Sequence, residues 1–458
     1  MEHCEEALSR QRRFFESGVT LSAGFRLAAL KRLADAMKEY ETRLLTALRE
    51  DLGKSSFEAY ATELGVVYEE IRELRTHLKK WMRPKPVRGP LTQFPCVCTV
   101  RPEPLGVVLI LSPWNYPVQL TLAPLAAALA AGNCAVVKPS RYAAKTAVVL
   151  EDMLRSAFPS GLVTVFQGGA AVNQELLALK FDHIFFTGSP AVGRVVMEAA
   201  SKHLTPVTLE LGGKSPCIVD ETADLALAAR RIAWGKLLNA GQTCVAPDYV
   251  LIHETMLHGF AREFAGAVRR MYGEEPIQNP EYGKIINEKH MERLKLLLQR
   301  GTPLIGGTYS DRSRKIAPTL LTGVSWDSPV MQEEIFGPIL PLIPYRSFSQ
   351  ALAEIRKRPK PLALYLFTHD PDHERRALRE VSFGGGCVND VVVHLTNPRM
   401  PFGGVGESGM GAYHGKAGFL TFSHQKSILK KSTAVDLPVR YPPYTGVVAE
   451  RVCNKSFI

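Results

Sequence analysis

Cys244 stands in the stretch Leu238-Asn239-Ala240-Gly241-Gln242-Thr243-Cys244-Val245-Ala246-Pro247, between a flexible Gly-Gln-Thr lead and a proline that limits helix continuation. A thiol there is a candidate nucleophile, although a free cysteine in a large protein is commonly a small buried apolar residue. Four other stretches carry complementary groups. Leu209-Glu210-Leu211-Gly212-Gly213-Lys214 sets an acid beside two glycines. Pro113-Trp114-Asn115-Tyr116-Pro117 holds a side-chain amide between prolines. Thr187-Gly188-Ser189-Pro190-Ala191-Val192-Gly193 reads as a strand passing into a helix N-terminus, a natural anion site. Glu333-Glu334-Ile335-Phe336-Gly337-Pro338 offers an acid and an aromatic ring two residues apart. Each has an ordinary structural explanation. Glu210 can be a strand-end charge, Asn115 a turn residue, Glu334 a surface ion-pair partner, and the Gly188 loop a plain helix start without GxGxxG spacing. Together they supply a nucleophile, an acid/base, an oxyanion donor and cofactor contacts, a complete set for acyl chemistry on a thiol.

The elements that must position these groups follow from hydrophobic periodicity. Leu27, Leu30, Leu33 and Met37 recur at helical spacing, which predicts a helix over about 22–52 ended by Gly53. A second amphipathic helix spans about 59–81. Pro84, Pro86, Gly89, Pro90 and Pro95 then break any helix, and 96–101 alternates like an exposed strand closed by Pro102. That segment fits either an oligomer contact or a connecting ribbon. The run 106–111 is apolar throughout, as in a buried parallel strand. Strands over 133–138, 162–166, 183–186 and 207–211 alternate with helices. This is a doubly wound α/β pattern, in which ligands sit beyond the carboxyl ends of the strands. A second α/β set follows. Its strands lie near 217–219, 249–253, 341–345, 363–368 and 386–389, and its helices over 254–271, 287–299 and 225–239, the last delivering Cys244.

With 458 residues the chain is expected to form two or three domains, and 46% hydrophobic with 22% charged residues is ordinary for a globular protein. The net charge of +11 is dispersed among acids, and Arg356-Lys357-Arg358-Pro359-Lys360, one of the densest basic patches, is short. No nucleic-acid motif accompanies it. The 8 cysteines lack zinc-site spacing, and Cys96-Val-Cys98 is too tight and isolated for a metal clip, so reduced thiols, no metal and a cytoplasmic location are expected. The polar, acidic start Met1-Glu2-His3-Cys4-Glu5-Glu6 does not read as a secretory signal, and the end Asn454-Lys455-Ser456-Phe457-Ile458 has no apolar tail. The uncharged span 104–137 is interrupted by Pro113, Asn115, Pro117, Pro124, Gly132 and Asn133, so no transmembrane segment is expected.

The motifs PWNYP, VVKPS, FTGS, LELGGK, GQTC, EEIFGP and PFGGVGESGMG occur together and in this order. The chain thereby resembles the NAD(P)-dependent aldehyde dehydrogenases over nearly its whole length. QTCVAPDY and Gly411-Ala412-Tyr413-His414-Gly415-Lys416 are similar to the class 3 branch, which includes fatty and aromatic aldehyde enzymes, and the short stretch before the first long helix fits it too. The resemblance implies an α/β fold of aldehyde dehydrogenase type. Residues 1–82 and 102–210 would form the dinucleotide-binding domain and 211–424 the catalytic domain. Residues 83–101 and 425–458 would form an oligomerisation arm and an extended tail. It also implies NAD or NADP as cofactor, an aldehyde as substrate and a homodimer.

By the same resemblance, Cys244 attacks the aldehyde carbon and the Asn115 amide holds the oxyanion with the Cys244 N–H. Glu210 then activates the water that hydrolyses the thioester. Lys138 and Glu334 would hold the two riboses, Phe336 would pack near the nicotinamide, and Gly188, Ser189 and Gly193 would receive the pyrophosphate. Tyr116 would line the aldehyde entrance. The segment Lys138-Pro139-Ser140-Arg141 places Arg141 where the family often has Glu. An arginine there removes a repulsion and can pair with a 2′-phosphate, so NADP is expected to be accepted. The competing readings are a CoA-acylating enzyme, against which Glu210 argues because hydrolysis needs a base, and a non-catalytic binding protein on the same fold.

Overall fold

A computed structural model describes residues 3–90, 93–436 and 440–443. It is an α/β structure built on two mainly parallel sheets and a small antiparallel ribbon. The first sheet has six strands. Val163–Val165, Cys134–Lys138, Val107–Leu111, His183–Gly188 and Val207–Leu211 are parallel neighbours in that order, and Gly409–Met410 closes the far edge antiparallel. Val107–Leu111 and Cys134–Lys138 are buried at every position, as a strand covered on both faces must be. The helix Gln119–Ala131 is likewise buried all round, which explains why its sequence is apolar on every face.

The second sheet has seven strands. In order they are Thr302–Ile305, Thr319–Thr322, Ile339–Tyr345, Tyr249–His253, Pro216–Val219, Ala363–Phe367 and Gly385–Val388. Thr302–Ile305 alone runs antiparallel to its neighbour. The ribbon pairs Cys96–Pro104 with Lys85–Val87 on one side and Ser423–Lys431 on the other. Among the described residues no helix is long and apolar enough to cross a membrane.

Several elements differ from the sequence expectation. The helix over 22–52 is two helices, Ala23–Glu39 and Glu41–Leu52, because Tyr40 leaves helical geometry at φ −92, ψ 2 and the second half turns to pack on Ala144–Ala157. Gly53 does end it, at φ 70, where an L side chain is disfavoured. The strand predicted to close at Pro102 runs on to Pro104. Pro102 is tolerated because only Ser423–Lys431 flanks it there, Lys85–Val87 having already ended opposite Val100. A helix at Cys4–Glu16 precedes the first expected one, and its Gln11 side chain donates to the Ala135 carbonyl at 2.8 Å. The extended character expected beyond 425 holds through Lys431; residues 437–439 and 444–458, with Pro438 and Cys453, lie outside the described residues.

Candidate active site

Asp224 caps the helix Leu225–Leu237, accepting from the Leu227 N–H at 3.0 Å. The helix stops two residues earlier than its pattern suggests. Asn239 and Ala240 both turn left-handed at φ 52, ψ 35, and Gly241 follows at φ 78. Left-handed geometry suits asparagine and glycine but strains alanine, at a cost of about 1–2 kcal/mol. Side chains hold the turn. The Asn239 N–H donates to Glu58 Oε1 at 2.6 Å, and Asn239 Nδ2 donates to the carbonyls of Asn115 at 2.7 Å and Gln242 at 3.1 Å. Gln242 Nε2 donates to the Asn239 and Lys284 carbonyls, and its Oε1 accepts from the Ile286 N–H. Tyr365 OH donates to the Val245 carbonyl at 2.5 Å, fixing the residue after Cys244.

The loop carrying Asn115 leaves the end of Val107–Leu111. Asn115 Nδ2 donates to the Gln242 carbonyl at 3.1 Å, which joins the two loops directly. Beneath them lies a fully buried ion pair, Lys54 Nζ to Glu63 Oε1 at 2.6 Å. Lys54 also donates to the Asn115 carbonyl at 3.1 Å and sits 3.8 Å from the Tyr116 ring centroid. Glu63 Oε2 accepts from the N–H groups of Val118 and Gln119. Tyr116 is itself buried, its hydroxyl 2.6 Å from Thr243 Oγ1. Nothing in the sequence distinguishes Lys54, Glu58 or Glu63 from the many solvated charges around them.

Glu210 lies in Val207–Leu211, opposite Thr187 on one side and Gly409 on the other. Its carboxylate is buried and neither oxygen has a hydrogen-bond partner. An unsatisfied buried carboxyl favours its neutral form, and burial pushes Glu210 well above the usual carboxylate range. Burial, then the charges of Glu334 and Glu210, push the Cys244 thiol up to about 12, against the pull of the Cys244 and Val245 N–H groups. Cys244, partly exposed, therefore lies within electrostatic reach of Glu334 and Glu210.

Glu334 is raised to about 8, first by burial and then by Asp248; Lys214, the Gly213 N–H and Lys236 act the other way. Its carboxylate rests where only glycine fits, since a Cβ on Gly212 would come 2.0 Å from Oε2. Lys214 anchors this loop by an ion pair to Asp248 and by donating to the carbonyls of Val330 and Glu333, while Arg293 donates to those of Glu334 and Ile335. Phe336, at φ 51, meets Trp114 edge-on with centroids 5.3 Å apart.

The remaining candidates gather at the carboxyl end of the six-stranded sheet. Lys138, the last residue of Cys134–Lys138, is buried, and its ammonium has no hydrogen-bond partner among the described residues. Burial, then the charge of Arg141, lowers it to about 8. Arg141 is exposed and lies in no ion pair among the described residues, while Ser140 Oγ accepts from the Tyr142 N–H in a turn. Ser189 caps the helix Pro190–Ser201, accepting from the Val192 N–H at 3.4 Å. Gly188 pairs in register with Leu211, and a Cβ on Gly193 would fall 2.8 Å from the Leu211 side chain. Two uncompensated cations and a helix N-terminus beside these glycines form a donor set that fits a phosphorylated dinucleotide.

The model of the aldehyde dehydrogenase family matches residues 1–428. The 4,4'-diaponeurosporen-aldehyde dehydrogenase of Staphylococcus aureus is 48% identical over 444 residues, covering 96% of this chain and 97% of that one. The "dimeric NADP-preferring" aldehyde dehydrogenase of Rattus norvegicus is 45% identical over 445 residues, 97% of this chain and 98% of that one. Among solved structures, substrate-bound Staphylococcus aureus AldH superposes with a TM-score of 0.97 at 46% identity and covers 100% of both chains.

Proposed function

The chain belongs to the aldehyde dehydrogenase family, and from that membership we propose that it oxidises medium- or long-chain aliphatic or aromatic aldehydes to carboxylic acids with NAD or NADP. The observation that supports this reading is the hydrogen bond tying the Asn115 loop to the Gln242 carbonyl two residues before Cys244, together with a buried, unpartnered Glu210 whose charge reaches the thiol.

In this reading Cys244 Sγ attacks the aldehyde carbon. The thiol first gives up its proton, which the ionised fraction of Glu210 can accept and must pass on to solvent before Glu210 serves the later step. The developing oxyanion lies against Asn115 Nδ2 and the Cys244 N–H. Those donors are set in advance by the hydrogen bonds to Gln242 and Asn239, and losing one costs about 10²–10³ in rate. When bound, the oxidised nicotinamide supplies a positive charge and the hydride acceptor that leaves a thioester on Cys244. Glu210 takes a proton from water as it attacks the thioester carbon, releasing the acid and restoring the thiol. A raised carboxyl suits that base at working pH.

Lys138, Ser140, Arg141, Gly188, Ser189, Gly193, Glu334 and Phe336 form the cofactor side of the site in this proposal, and Tyr116 walls the aldehyde side through Thr243. Residues 1–82 and 102–210 bind the dinucleotide and 211–424 carry the thiol. The ribbon segment 83–101 and residues 425–458 make a homodimer contact, in keeping with a relative described as dimeric. A panel of hexanal, dodecanal and benzaldehyde with each cofactor, followed at the reduced-nicotinamide absorbance, tests the proposal. Turnover that Cys244→Ser abolishes supports it; inactivity on all three, or full activity in Cys244→Ser, refutes it.

A further inference from the structure

Away from this site, Cys96 and Cys98 lie on one face of the strand Cys96–Pro104 with their sulfurs 3.8 Å apart. Both are partly exposed in the single chain, so the homodimer contact proposed for segment 83–101 has to leave this face of the ribbon open. The backbone of Gly89 lies over the pair, where a Cβ would stand 2.6 Å from Cys96 Sγ and 3.3 Å from Cys98 Sγ. Any side chain at position 89 would have to displace the sulfurs. Lys431 is the cross-strand partner of Cys96, its ammonium donating to the Gln93 carbonyl at 2.9 Å. Among the described cysteines Cys4, Cys134 and Cys217 are buried, and no other pair is in sulfur–sulfur contact.

The bridge these sulfurs could make is a constrained one. Alternate Cα atoms of a strand are about 6.6 Å apart, at the upper edge of the roughly 4.4–6.8 Å that a disulfide spans. Closing it draws the strand in against its pairing with Ser423–Lys431. Strained, exposed disulfides are the labile ones, formed and reduced within ordinary thiol–disulfide exchange.

We propose that Cys96 and Cys98 are a redox-responsive dithiol that low-molecular-weight disulfides, such as oxidised glutathione, convert into a reversible intramolecular disulfide. The Cys96 thiolate attacks one sulfur of the small disulfide, forming a mixed disulfide and expelling one small thiolate. Cys98 then loses its proton to solvent and attacks the Cys96 sulfur, expelling the second thiol of the mixed disulfide. Two protein thiols are oxidised and one small disulfide is reduced to two thiols. Burial, followed by the hydrogen bond to Cys96 and its charge, raises the Cys98 thiol, so Cys98 keeps its proton until the second step.

The test equilibrates the full chain with a series of reduced-to-oxidised glutathione ratios, blocks free thiols with iodoacetamide and weighs the peptide holding both cysteines. The expected product gains no alkyl group, has lost two hydrogen masses and is restored by dithiothreitol. Its fraction should rise at least tenfold across the series. Cys98→Ser should stop at a glutathione adduct on Cys96. Full alkylation of both thiols at every ratio, or glutathione retained on wild-type sulfurs with no internal bridge, would overturn the proposal.

Discussion

Gly241 packs so tightly on Gly337 that a Cβ at 241 would lie 2.3 Å from the Gly337 carbonyl oxygen. The loop before Cys244 is thereby seated on the loop that carries Glu334 and Phe336. A side chain at 241 meets backbone on one side and a φ of 78 on the other. Gly241→Ala is therefore expected to lower kcat/KM about 10²-fold through misplacement of the thiol, with a fall in stability of roughly 1–2 kcal/mol. Steady-state kinetics and urea melts of the same preparation check both.

Lys54 and Glu63 are the base on which the Asn115 loop rests. Removing one partner strands a buried charge, so Lys54→Met should cost about 3–5 kcal/mol in denaturant unfolding. Lys54→Met combined with Glu63→Leu should recover much of that stability. It should not recover kcat, because the Asn115 carbonyl has still lost one of its two donors and keeps only Asn239 Nδ2.

The Cys244 thiol, raised to about 12, is protonated at neutral pH in the protein without cofactor. The thiolate is the reactive form, so its fraction grows as pH rises towards the raised value. Alkylation of Cys244 by iodoacetamide should accelerate about tenfold per pH unit between pH 7 and 9. Glu334, raised to about 8, is charged mainly at the upper end of this range, so Glu334→Gln should speed alkylation most at pH 9 and little at pH 7. Peptide mass spectrometry over time measures the rates.

Arg141 is exposed and Lys138 buried, and the charge of Arg141 adds to burial in lowering Lys138. A 2′-phosphate would relieve that repulsion. Arg141→Glu should lower kcat/KM for NADP by about tenfold to hundredfold relative to NAD. Negligible NADP use in both parent and variant would refute the role given to Arg141.

Burial of Glu210 also ties stability to pH. Its folded-state pKa lies above the unfolded value near 4.3, so the folded protein holds the proton more strongly. Stability then falls as pH rises from the unfolded value towards the folded one. Glu210→Gln, which cannot ionise, should melt at a higher temperature than the parent, by a margin that widens between pH 5 and 8.

Much of this architecture is legible in the chain itself, and the reasons are physical. Short apolar, valine-rich runs such as 107–111 and 134–137 fit strands covered on both faces, and both are so. Cys244, Asn115 and Glu334 stand out because each sits in a glycine- or proline-marked loop, and Glu210 because its strand runs straight into Gly212-Gly213. Other features leave no local mark. The turn at Tyr40 follows from which partner each half-helix packs on. The left-handed Asn239 and Ala240 are held by Glu58, Asn115 and Gln242, contacts made only after folding. Lys54 and Glu63 look like any surface charges until Asn115 and Tyr116 close over them. Gly409–Met410 reaches the edge beside Glu210 from about 200 residues away, which no local pattern can report.

The central claim is that Cys244 carries the acyl group and Glu210 brings the water that removes it. It is tested most directly by mixing Glu210→Gln with aldehyde and NADP, quenching within seconds and weighing the peptide that contains Cys244. The account predicts a burst of one reduced nicotinamide per chain, an acyl mass on Cys244, and steady turnover slower by about 10²–10⁴. Full turnover with an unmodified Cys244 peptide would contradict it.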